Sequence, residues 1–476
     1  MRVHFFLPAL TEATSPFFRP IKYSLFPPLG LAALAAYLHP GDEAAIFDEH
    51  VEPLRFDGPL PHLVAIETYI TNARRAYAIA DHFRAQGVYV VLGGLHATSR
   101  PAEAAQHADT VFTGPGEDTW PRFLADFRNG RPAPLYASKE RSLLQAPLPR
   151  RDLIRRSLYL VPNSIVVSRG CPHHCDFCYK DAFFAGGRSY YTRAIDTALA
   201  EIDSLPGRHL YFLDDHLLAN RSFADALFHG MKGMNRVWQA AATVDSILDV
   251  STHPRLLERA VQCGLRSLFI GFESISESNL QIHGKRQNRL ADYTRAIQRL
   301  HSLGVMINAS FVYGMDDDGE EVFSRTVEWA IQQSLETATF HILTPYPGTG
   351  LHQRLQAQGR ILHNNWDLYD TRHAVFQPAR MSPEQLEAGY WRSYRDFYRW
   401  SSIARAALAK HDAIPALRHF AYSAAWKKLE PLWDLILRAR RVALARPALE
   451  AILDTRRRPA QKPAASPAKG LQTRPT

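Results

Sequence analysis

The chain has 476 residues, 46% hydrophobic and 22% charged, which at roughly 150 residues per domain is room for about three ordinary globular domains. No apolar run approaches the roughly 20 residues that span a bilayer, and the opening MRVHFFLPAL is broken too soon by Pro8 to act as a secretory signal, so a cytoplasmic protein is expected. The four cysteines, three of them within eight residues, are no disulfide framework, and the net charge of +9 owes six positive charges to a tail from Arg456 that holds no Asp or Glu, read here as a solvated segment that can attract acidic lipid only weakly.

The first third alternates short apolar runs with helical patterns, which predicts a parallel sheet covered by helices. Strands are expected over 2–8, 44–48, 63–69, 88–92 and 110–113, with helices over 29–38, 73–86 and around 119–127. This is a doubly wound α/β domain over residues 1–130, with its ligand at the C-terminal strand ends. A Pro- and Arg-rich connection is expected over 131–160. From there to about residue 360 a strand–helix rhythm repeats six times, with strands near 164–168, 210–213, 238–243, 267–272, 306–312 and 339–343. Six βα units make a partial barrel, again with chemistry at the C-terminal strand ends. Residues 361–455 read as helical and rich in Arg, Trp and Tyr, followed by the basic tail 456–476.

Directly after the first barrel strand stands Arg169-Gly-Cys171-Pro-His-His-Cys175-Asp-Phe-Cys178. Three thiolates on one short loop can hold three irons of a [4Fe–4S] cubane, leaving the fourth iron open to a small ligand. A zinc site using His173 or His174 is the rival, made awkward by how close these residues lie to Cys171. Cys263, on a predicted helix, is expected to be a small core residue.

The C-x3-C-x2-C spacing, the aromatic Phe177 before the last cysteine and the place after the first strand of a βα barrel resemble the radical S-adenosylmethionine (SAM) superfamily. That resemblance implies that Cys171, Cys175 and Cys178 carry the cluster and that SAM chelates the open iron. It implies a place near the adenine for Phe177. It also implies SAM contacts at the strand ends: Asp214 or Asp215 for the amino group, Glu273 for the ribose hydroxyls or amino group, Ser310 on the fifth strand, and Lys285 or Arg286 for the carboxylate.

In the first domain, Pro27-Pro-Leu-Gly30-Leu31, Gly93-Gly94-Leu-His96 and Thr113-Gly114-Pro-Gly116-Glu117 resemble the cobalamin-binding domain fused to one class of that superfamily. Pro115 departs from the usual Gly-Glu-Gly-Glu turn. Asp48-x-His50 imitates the start of a corrinoid Asp-x-His-x-x-Gly motif, but Pro53 stands where its glycine belongs, and no histidine ligand to cobalt is expected. His96 is expected near the corrin without ligating it. The segment 366–376 is expected to pack across the barrel mouth. The whole resemblance implies a cobalamin-dependent radical SAM enzyme, first a methyltransferase acting on an unactivated carbon of a secondary metabolite or lipid. An oxidative cyclase or rearrangement enzyme is the second reading and a non-catalytic cobalamin sensor or carrier the third. An external electron donor such as flavodoxin or ferredoxin would be needed, and no nucleic-acid partner.

Overall fold

The structure, a computed structural model, describes residues 1–14, 21–285, 287–410 and 412–454. Arg286 and the basic tail lie outside them.

Strands β1 (Arg2–Leu7), β2 (Glu43–Asp48), β3 (Leu63–Glu67), β4 (Tyr89–Gly93), β5 (Thr110–Thr113) and β6 (Leu135–Ala137) form a wholly parallel sheet in the order β2-β1-β3-β4-β5-β6. Its strands are apolar almost throughout because both faces are covered. Phe5, Val91 and Phe112 pack against Trp120 and Phe123 of the helix Trp120–Arg128. Val64, Val90 and Leu92 pack on the other face, against the helix Ala73–Arg84. From β1 the chain steps outward to β2, then returns across β1 to β3. The crevice between the ends of β1 and β3 is therefore a topological switch point. The expected connection 131–160 needs correction: its Leu135–Ala137 segment pairs with β5 and extends the sheet. Three residues with one buried side chain are too short to show a period.

The second sheet is a six-stranded partial barrel. It begins with β7 (Ser164–Ile165). Next come β8 (Ser168–Gly170) and β9 (Tyr190–Thr192), a small antiparallel clip. The remaining strands are β10 (His209–Phe212), β11 (Val237–Ala242), β12 (Leu265–Glu273), β13 (Met306–Tyr313) and β14 (Thr337–Ile342). The barrel strands run parallel in chain order. Alternation sorts their faces: Phe272, Phe311 and Phe340 stack toward the helices, while Gly271, Ser310 and Thr339 are in register on the opposite, inner face.

The helix Pro383–Phe397 opens with a capping box of Ser382 and Gln385 and has Pro383 in its first turn. It covers the otherwise open edge of β14. The Tyr398 hydroxyl accepts from Ala338 N at 3.2 Å and donates to Ala338 O at 3.0 Å, and the Tyr394 hydroxyl accepts from Phe340 N at 3.2 Å. Helices Trp400–Leu408 and Ala413–Lys427 form a hairpin beyond it. Tyr422 closes the N-terminal end of the barrel, accepting from Gln239 Nε2 at 3.2 Å and Asn308 Nδ2 at 3.4 Å.

Candidate functional site

The cysteine loop leaves the clip at Gly170, whose φ of +79° suits glycine. Its amide donates to Asp215 Oδ2 at 3.0 Å, and Cys171 N donates to Ser189 O at 3.1 Å. Past the last cysteine, the Tyr179 hydroxyl donates to Asp215 Oδ1 at 2.9 Å, with Lys180 Nζ at 3.6 Å. Asp215 thus fastens both ends of the loop. In the middle, Asp176 accepts from His283 Nδ1 at 2.8 Å and pairs with Arg354. The Phe177 ring meets His283 edge-on at 5.8 Å.

All four cysteines are unbridged. Burial pushes the Cys171 thiol up and the Cys178 thiol up to about 11, while the ammonium of Lys180 opposes both shifts. By its chemistry the donor set suits an iron–sulfur cubane, three thiols on one loop beside a cation that favours thiolate, though no three His, Cys, Asp or Glu side chains among the described residues are gathered as a metal site. The zinc alternative loses its histidines. His174 Nδ1 turns to Asp181 at 3.0 Å, and His173 lies 3.8 Å from Asp245 with its ring over His216. Cys263 is a core residue whose thiol donates to Ala260 O at 3.3 Å.

Several expected SAM contacts are engaged within the protein. Asp214 is a correction. It is 2% exposed and accepts from Val167 N, Ser168 N and Ser168 Oγ. Burial pushes its carboxyl up to about 7 against those bonds. It braces the turn into the clip and is engaged there within the protein. Glu273 closes β12 with φ +64°, a left-handed conformation uncommon outside glycine and a frequent mark of functional strand ends. Its carboxylate is paired with Lys285, so the charge of Lys285, expected to meet a ligand carboxylate, is met by Glu273 instead. Ser310 sits on the inner face beside Gly271.

Two adjoining cavities of about 120 and 370 Å³ open at the C-terminal ends of the first sheet. The smaller is floored by Gly93, Gly94, Gly114 and Gly116, walled by Val91, Phe112 and Trp120, and rimmed by Glu117. Gly94 has φ +106°, and a Cβ there would lie 2.8 Å from Thr68 O. These glycines let the backbone itself line the cavity. His96 does not itself line either cavity, although Gly93 and Gly94 before it do. Its buried ring meets Glu103 Oε1 at 3.0 Å, and Trp366 Nε1 donates to the same oxygen at 3.2 Å. It is part of a contact through which 366–376 clamps the first domain, with Trp366, Tyr369 and Val375 packing on Ile70. His50 also lines neither cavity; its Nδ1 is 2.9 Å from Asp48, which accepts from the Tyr159 hydroxyl as well.

Four residues, Gly30, Glu67, Glu117 and Arg169, line both cavities. Arg169, two positions before Cys171, is ion-paired with Glu117 of the first domain. Glu67 and Tyr69 escaped the sequence reading. Tyr69 donates to Glu67 Oε1 at 3.0 Å, and burial pushes the Glu67 carboxyl up. A Glu two residues before a Tyr at a strand end has no pattern of its own; only the 26-residue offset to the Gly93-Gly94 turn could have drawn attention to it.

Residues 165–330 match the profile of the Radical SAM superfamily. The chain is 29% identical over 399 residues to bacteriochlorophyllide d C-12(1)-methyltransferase of Chlorobaculum tepidum, covering 80% of this chain and 85% of that protein. It is 27% identical over 397 residues to the C-8(2)-methyltransferase of the same organism, covering 79% and 86%. Among solved structures it resembles the radical S-adenosylmethionine methyltransferase TsrM of Kitasatospora setae, solved with cobalamin and a [4Fe–4S] cluster bound. The TM-score is 0.62 at 14% identity, over 93% of this chain and 99% of that one. The shared fold comprises a doubly wound domain, a partial barrel and a helical end.

Proposed function

We propose that this chain, whose central residues 165–330 are a radical SAM domain, is a cobalamin-dependent C-methyltransferase acting on an unactivated carbon of a ring-containing metabolite or lipid. The observation that carries the reading is Arg169: it belongs to the clip that leads to the cysteines, yet lines both cavities of the first domain. Transfer of a methyl group demands that two cofactor sites on adjoining domains face one space, and an arginine that reaches from the cysteine clip into the first domain supports that arrangement. When bound, the cluster with SAM supplies a 5′-deoxyadenosyl radical, and cobalamin supplies the methyl group.

The chain's own residues do the rest. Cys171, Cys175 and Cys178 hold the cluster, and Asp215 holds their loop. Phe177 would lie near the adenine. Glu273, paired with Lys285 through one oxygen, would hold the ribose or amino group of SAM, and Ser310 lines the same inner face. Gly93, Gly94, Gly114, Gly116 and Glu117 would seat the cobalamin, and no histidine is among the described residues that line the two cavities. An external flavodoxin or ferredoxin delivers electrons. The two bacteriochlorophyllide methyltransferases support a methyl acceptor that is large, flat and apolar.

The test is anaerobic reconstitution followed by assay with SAM carrying a labelled methyl group. The expected result is about four irons per chain, one bound cobalamin, and both 5′-deoxyadenosine and S-adenosylhomocysteine as products, with label in an acceptor carbon. Formation of 5′-deoxyadenosine without label transfer in any acceptor would favour a cyclase or rearrangement enzyme.

A further inference from the structure

Residues 399–476 hold 16 Lys and Arg against 5 Asp and Glu, so this segment carries +11 while the preceding 398 residues carry −2. The helical hairpin at its start is apolar on its outer face. Leu408 is 81% exposed, Leu417 70%, Trp400 55% and Ile414 54%. In the helix Ala413–Lys427 the exposed Ile414, Leu417 and Phe420 fall on one side, and the buried His419 and Ser423 fall opposite, toward the barrel. The Trp400 and Phe420 rings stack at 5.8 Å, which joins the outer faces of the two helices. The Lys428 ammonium stands 5.4 Å above the Trp400 ring. Single exposed leucines are ordinary, but a contiguous apolar face with an aromatic and a cation at its rim is not.

We infer that this face, with its basic surround, docks the protein onto the surface of an anionic lipid bilayer. The charge selects the occupant. A second copy would bring two positive faces together. The segment 455–476 holds one large apolar residue, Leu471, and six of these positive charges. No helix among the described residues is long and apolar enough to cross a membrane. The hairpin would therefore lie in the interface, with Trp400 and the leucines among the acyl boundary and Lys428, at the rim of the face, among the headgroups. This inference is independent of the reaction catalysed.

Full-length protein is floated with vesicles of phosphatidylcholine alone or of an equimolar phosphatidylcholine–phosphatidylglycerol mixture. Binding is expected to the mixed vesicles only, weakening as salt is raised. Leu408→Ser with Leu417→Ser keeps every charge and should cut partition by about tenfold, since two leucines lose their transfer from water. Arg456→Gln, Arg457→Gln and Arg458→Gln together should weaken binding and flatten its salt dependence. Leu408 and Leu417 are exposed, and the three arginines follow the last described helix in sequence, so an unchanged thermal transition verifies the fold. Absence of binding to the mixed vesicles overturns the inference, as does equal binding by the leucine variant. A solution dimer of the native protein that the leucine variant dissolves would also overturn it, identifying the face as a self-interface.

Discussion

Asp215 spends one carboxylate on two ends of one loop: Oδ2 takes the amide before Cys171, and Oδ1 takes the hydroxyl after Cys178. A hydrogen bond to a charged group contributes on the order of 1.5–3 kcal/mol, so Asp215→Ala releases both anchors at once. Asp215→Asn keeps an oxygen for Gly170, and its amide can donate to Tyr179, whose hydroxyl is able to accept. The expectation is a graded series. Apo Asp215→Ala should show cysteines that react faster with a thiol reagent, and reconstitution should leave it short of iron. Asp215→Asn should resemble the native protein in thiol reactivity and lose only part of its iron. Equal behaviour of Asn and Ala variants would mean that charge, and not the two hydrogen bonds, holds the loop. Neighbouring Asp214 warns against treating the Asp214-Asp215 pair as interchangeable: one residue earlier, the side chain points into the protein and is consumed by Val167 and Ser168.

At the scale of elements, the β8–β9 clip is set by one glycine. A Cβ on Gly170 would fall 1.9 Å from Ser189 O, on top of an unfavourable φ of +79°. Gly359 has a similar φ of +68° but nothing within 4 Å of an added Cβ. Gly359→Ala should therefore cost only the left-handed penalty, roughly 1–2 kcal/mol. Gly170→Ala must also part the clip, and should lose cluster while the far-ultraviolet dichroism of the barrel persists. Iron content and dichroism of the two variants check this. The strands, cysteine spacing and glycine turns were legible because each has a local signature: period, offset or a residue that only a tight turn requires. What was not legible depends on register and depth. The pairing of Glu273 with Lys285, the burial of Asp214 and the inward turn of His96 toward Glu103 are set by which strand end lies deeper. A three-residue edge strand such as β6 is set by its neighbour and not by its own sequence.

For the whole molecule, one buried carboxylate stands among the ties between the helical hairpin and the barrel. Glu336, at the foot of β14, accepts from Lys410 at 2.8 Å and from Ile307 N at 2.8 Å. His301 stands at 3.4 Å and His419 at 3.8 Å. The Ser423 hydroxyl donates to the Glu336 backbone carbonyl. Burial alone would push this carboxyl up, but Lys410 and His301 outweigh it and hold it well below the usual range. A depressed folded-state pKa stabilises the fold above the ordinary carboxylate value of about 4.3, and that contribution drains away as pH falls through the folded value. Glu336→Gln removes it at every pH and leaves Lys410, itself 9% exposed, without its carboxylate. Breaking such a pair costs about 3–5 kcal/mol. The variant's thermal transition should therefore lie well below the native one at neutral pH, and the two should converge as the solution is acidified. Because the hairpin is the element released, proteolysis should cut first between residues 399 and 428, before the barrel. Glu336→Gln with Lys410→Met should recover part of the loss, since it leaves no unpaired buried ammonium. Curves that stay parallel down to acid pH would show that the hairpin is held by its apolar packing on the barrel and not by Glu336.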